Sequence, residues 1–318
     1  MSVSPYQPPS PEQVEAHLAA HEPRPASPWV VWGPLAALAG VVGASLMIGG
    51  SVAIVLPWLG LGGVFGFLVW RVRRLRGVDA ELIGAQELAM LRQERRALAV
   101  VWRVIPRVQT QPGMYVRAAA LLAHTLDELK AYEAALAAYD SLIAKLHEDH
   151  PGSVHLRLHR TIAALMAEHL TDADEALRRL DTHAPAAASV AGGVGDRVRA
   201  GDGGRGGRGE GAAPGAIYRL AELIQRVRTH HFDDAAAAGD AMLDELRPLG
   251  ISAGYGHALL ALCWRRARAV ADAEERARRS ALWWRRATTL MPAAALVDRF
   301  PELRELAEGG AAGQEVAT

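Results

Sequence analysis

Between Trp29 and Trp70 the chain carries no Asp, Glu, Lys, Arg or His, and from Arg71 onward charged residues return and stay frequent. A helix rises about 1.5 Å per residue and a hydrocarbon core takes roughly 20 residues, so this uncharged run of 42 residues has the length for two crossings. The pattern predicts a two-helix transmembrane hairpin with spans near 29–48 and 52–70, turning at Gly49, Gly50 and Ser51, where backbone groups would reach the far interface. From Asp79 onward apolar positions recur mostly at helical spacing. Breaks fall at Pro106, Pro112, Pro151, Pro248 and Pro292, and strand-like alternation is scarce. The fold class is therefore all-α. Ahead of the hairpin, Ser10, Pro11 and Gln13 form a helix start, predicting a short helix to about His21 that lies on a membrane or docks on the rest of the chain.

Charge changes the picture by giving the hairpin a direction. Arg71, Arg73, Arg74 and Arg76 follow the second span directly, whereas the turn is uncharged, so both termini are expected in the cytoplasm. The expected location is the bacterial inner membrane, multi-pass, with lipid as a partner. The first 28 residues hold Arg24 as their single strong base, which excludes a cleaved signal peptide. No ionisable group lies in the spans, which argues against an ion path and leaves the hairpin as an anchor. Gly62 and Gly66, with Ala36, Gly40 and Ala44, form small-residue rows suited to packing within the hairpin or to a homo-oligomer.

The clearest helix pair runs from Met114 to about Pro151. Ala123 sits on its first helix, a break falls near Lys130, and Tyr132, Ala135 and Tyr139 lie on its second helix. Small side chains at 123 and 135 allow close approach, and the tyrosines fill the space beside them. This unit resembles the tetratricopeptide repeat, a helix-turn-helix of about 34 residues with small residues at set positions. Weaker units follow, with Ala176 on a second helix, then Ala235, then Trp284 and Ala287 ahead of Pro292. The resemblance implies an α-solenoid of stacked helix pairs and repeat-packing roles for Ala123, Tyr132, Ala135, Tyr139, Ala176, Ala235, Trp284 and Ala287.

The organisation that results is a Pro-rich tail (1–28), the hairpin (29–70), a helical region (71–184), a Gly-, Ala- and Arg-rich loop (185–215), a second helical region (216–306) and a disordered tail (307–318). Cys263 is the only cysteine, so no intramolecular disulfide forms, and in its apolar surroundings it reads as an inert buried thiol.

Histidines gather at His147, His150, His155 and His159, and the last two are spaced to share one helix face, as metal ligands do. A zinc peptidase needs a glutamate directly after the first histidine of such a pair, and Leu156 stands there. His155 and His159 remain weak metal candidates, and no phosphate-cradling loop or nucleophile elbow occurs. Arg205 to Gly209 contains one Arg-Gly-Gly element, and Trp264, Trp283 and Trp284 are interleaved with arginines. Intervening acids and a net charge of +0 argue against nucleic acid as the partner.

The resemblance implies a membrane-anchored scaffold that binds an unidentified protein partner at the cytoplasmic face, without catalysis or cofactor. The alternatives are a metal-dependent enzyme using the cluster from His147 to His159, or a self-associating structural membrane protein.

Overall fold

The computed structural model describes residues 7–24, 32–33, 36–42, 52–146, 152–180 and 214–314, and no strand occurs among them. The chain divides into two compact units, Met1–Leu146 and His147–Thr318. The first holds α1 (Pro11–Ala20), α2 (Val52–Met90), α3 (Glu94–Val104), α4 (Pro112–Glu128) and α5 (Tyr132–Ile143). The second holds α6 (Ser153–Met166), α7 (170–180), α8 (Pro214–Arg228), α9 (Phe232–Leu246), α10 (Ala253–Arg266), α11 (Ala273–Leu290), α12 (Ala293–Arg299) and α13 (Arg304–Gln314). The segment 185–215 lies almost wholly outside the described residues, and α13 extends into the stretch expected to be a disordered tail.

Four helix pairs are joined by one kind of turn. Arg92, Lys130, Glu168 and His230 each adopt a left-handed backbone, with φ of 56°, 60°, 66° and 61°. In every case the next amide donates to the carbonyl five residues back, as in Ala131 to Leu126 and His231 to Arg226. The left-handed residue itself donates to the carbonyl three back, so each helix ends in a Schellman motif that satisfies its terminal carbonyls. The first three of these residues are 38 apart in sequence. Five positions after each lies an alanine, Ala97, Ala135, Ala173 or Ala235, and all four are 0% exposed. Seven positions before each lies Ala85, Ala123, Thr161 or Leu223, also 0% exposed. The turn thus sets the register of both helices, and the small side chain opposite it sets their separation.

None of the four left-handed residues is glycine, although a side chain there costs roughly 1–2 kcal/mol. Replacing Lys130 or Glu168 by glycine should therefore raise unfolding free energy by about 1 kcal/mol in a urea titration. A loss of stability would mean that the turn is not formed as described.

Helix α1 begins as its sequence dictates. The Ser10 hydroxyl accepts from the Gln13 amide, and the Gln13 side chain accepts from the Ser10 amide at 3.1 Å, closing a capping box. It docks within the first unit, with Val14 at 0% and Leu18 at 1% exposure. The His17 ring stacks on Trp102 at 4.0 Å between centroids, and its Nε2–H donates to the Trp102 carbonyl at 3.2 Å. The Tyr115 hydroxyl donates to the Leu18 carbonyl at 3.4 Å.

Burial, and then the neighbouring His21, lower the His17 pKa to about 4. A histidine depressed in the docked state stabilises docking above its free value near 6.5 and loses that contribution as pH falls through 6.5 toward 4. Glu22, Lys145 and Tyr115 are further titratable groups at this contact, with Lys145 3.6 Å from Glu22. Amide exchange in α1, corrected for intrinsic rate, should thus accelerate relative to α4 between pH 7 and pH 5. Equal protection at both would contradict this.

The transmembrane hairpin requires correction. Among the described residues no helix is long and apolar enough to cross a membrane. The first expected span, 29–48, lies largely outside the described residues. The second does not end at Trp70. Helix α2 continues unbroken to Met90, and its last turns bury Val78, Leu82 and Ala85.

A multi-pass inner-membrane location with both termini cytoplasmic falls with the hairpin. The four arginines read as orienting it are interior positions of α2. Arg73, Arg74 and Arg76 are exposed there, and the Arg74 guanidinium lies 5.7 Å above the Trp70 ring. At Gly62 and Gly66 an added Cβ would meet nothing within 4 Å, so neither glycine marks a close helix contact among the described residues.

Candidate functional site: a groove with two unpaired arginines

Helix α11 starts where Asp272 caps it, its carboxylate accepting from the Glu275 amide at 2.8 Å, with Glu274 and Glu275 in the first turn. It packs along α10. Ser280, Trp283 and Ala287, spaced three and four apart, form its buried face. Trp283 is 0% exposed, stacked obliquely on His257 at 5.3 Å with the Arg286 guanidinium 4.9 Å from its ring. One residue on, about 100° around the helix, Trp284 points instead into a groove of about 570 Å³. Arg265 at the end of α10, Arg285 and Thr288 on α11, and Leu306 on α13 also line it.

Several arginines of this unit tie helices together. Arg266 binds Glu305 at 3.0 Å, Arg279 binds Asp240 at 2.7 Å and Arg228 binds Glu302 at 2.7 Å. Arg265 and Arg285 are exposed, and neither has an ion-pair partner among the described residues. The groove's hydroxyl protons are already used. Ser280 donates to the Ala261 carbonyl at 2.9 Å, and Thr288 to the Trp284 or Arg285 carbonyl at 3.1 Å. The charged donors left to an incoming molecule are the two guanidiniums.

The expected repeat-packing residues fall in three groups. Ala123, Ala135, Ala235 and Ala287 are fully buried and Tyr139 is 2% exposed, whereas Tyr132 is half-buried at the head of α5. Ala176 is also half-buried, and Ala173 holds the position assigned to it. The left-handed turn residue is Glu168, so the alanine five positions on is Ala173, three residues before Ala176. Trp284 lines the groove, and the packing role read for it belongs to Trp283.

His155 and His159 lie on α6 with ring centroids 6.1 Å apart, and His147 and His150 lie outside the described residues. Among the described residues, ligand atoms of three metal-binding side chains converge only at His124, Asp127 and Glu128, within 4.8 Å of one another. The histidine pair is not part of that grouping, whose members all come from one turn of α4. Burial pushes the Cys263 thiol up to about 12, so it stays protonated and a poor nucleophile. Trp264 and Trp283 are buried and Arg266 is paired, which removes most of the stacking platform a single strand would need.

No family model, no curated protein and no solved structure matches the chain.

Proposed function

We propose that the chain is a non-catalytic, tetratricopeptide-like adaptor whose helix pairs present a surface to a protein partner. The observation that carries this reading is the recurring unit: one Schellman turn, a fully buried small or β-branched residue or leucine before it and a fully buried alanine after it, found four times and spaced by 38 residues over the first three. Repeated hairpins of this kind expose concave faces on which a peptide or helix lies, and recognition there needs no reactive group. The unpaired arginines beside a half-buried tryptophan support it further, because Arg and Trp carry much of the energy at protein interfaces.

The test is co-purification of the full chain under native expression, followed by reconstitution with each enriched protein made separately. A one-to-one complex with a dissociation constant at or below the micromolar range is the expected result. Enriched proteins that fail to bind once purified, for every candidate, would refute the adaptor reading.

A further inference from the structure

Resting on the adaptor reading, we infer that the groove between α11, α12 and α13 is a binding site for an acidic peptide segment carrying an apolar residue between its carboxylates. Two charged donors open into the groove, Arg265 at the end of α10 and Arg285 on α11, and neither is neutralised by an acid among the described residues. Guanidiniums form paired hydrogen bonds with carboxylates, so acceptors of that shape complete what the groove leaves unmet. The hydroxyls of Ser280 and Thr288 donate to backbone carbonyls and so add no donors of their own.

Between the arginines the lining is apolar. Trp284, Ala281, Ala293 and Leu306 offer contact area to a side chain of leucine or phenylalanine size, and the volume of about 570 Å³ accommodates a few residues of an extended or helical segment.

A nucleic acid is the other polyanion this charge could attract, and the structure disfavours it. Backbone tracking needs a run of free cations with several exposed aromatic faces. Here two of the three clustered tryptophans are buried and the neighbouring arginines are engaged by Glu275, Asp240 and Glu305.

The experiment is selection of a random twelve-residue peptide library, displayed on phage, against the immobilised full chain and against its R265E/R285E variant. Both positions are exposed and unpaired, so the variant keeps its fold, verified by an unchanged melting curve. Peptides selected on the natural chain should be enriched in Asp and Glu flanking an apolar residue. Synthesised and labelled, they should bind the variant at least tenfold more weakly and weaken with added salt.

Selected peptides without acidic enrichment, or acidic peptides binding both chains equally, overturn the acidic groove while leaving the adaptor reading in place. A selection that yields no binders at all counts against both. A labelled single-stranded oligonucleotide run in parallel is expected not to bind, and saturable binding lost in the variant would assign the groove to nucleic acid instead.

Discussion

Trp283→Ala should lower the unfolding free energy of the second unit by about 3–5 kcal/mol, the loss expected when a large buried ring is removed and its space only partly refilled. Trp283 is the largest fully buried side chain among the described residues. Its ring lies against His257 and under Arg286, and a Cβ on Gly239 would stand 3.9 Å from it. The indole Nε1–H has no hydrogen-bond acceptor among the described residues, so Trp283→Phe gives up a buried, unsatisfied donor and should cost clearly less than alanine. Urea unfolding followed by circular dichroism separates the two variants. A loss within about 1 kcal/mol for Trp283→Ala would mean that this ring does not anchor α10 against α11.

The second large effect concerns the alanines that follow the turns. Ala97, Ala135, Ala173 and Ala235 are each 0% exposed, so leucine at any of them forces extra methylenes into a filled helix contact. Overpacking of this kind costs about 1–3 kcal/mol. The four substitutions should therefore act alike, although their surroundings in sequence share little. Ala241→Leu, on the exposed side of α9, serves as the control and should fall within about 0.5 kcal/mol of the natural chain. Tolerance of leucine at two or more of the four positions would break the equivalence of the helix pairs.

Much of this architecture was open to inspection in the sequence, and the exceptions have physical causes. The pair around Ala123 and Ala135 could be read because small and large residues alternate there at helical spacing, with Tyr139 filling the remaining space. The break near Lys130 was legible too, whereas the left-handed backbone of the turns was not, since Arg, Lys, Glu and His at these sites give none of the glycine signal that usually marks a helix end. Without that signal Ala176 and Ala173 are equivalent in the pattern, and the turn at Glu168 puts Ala173 in the contact. Adjacent Trp283 and Trp284 are chemically identical in composition, and only the phase of α11 decides which one is core and which one lines the groove. The uncharged run behind the expected transmembrane hairpin is not a self-contained element. Its second half belongs to a helix that continues for twenty residues past Trp70 into packed, charged turns.

The groove itself was half visible. The interleaved Trp and Arg residues were evident, but which arginines are engaged depends on acids far away in sequence, such as Asp240 for Arg279 and Glu305 for Arg266. Sequence spacing carries no information about those partners. His155 and His159 share a helix as expected, and the convergence of His124, Asp127 and Glu128 follows from their spacing of three and four on α4.

The most direct measurement is the dissociation constant of a reconstituted partner for the natural chain and for R265E/R285E, each at 50 and 300 mM salt. An adaptor that works through the arginine groove binds at least tenfold more tightly than its charge-reversed form at low salt, and the gap narrows at high salt as screening weakens the charge contribution. Equal constants for the two chains at both salt concentrations would contradict it.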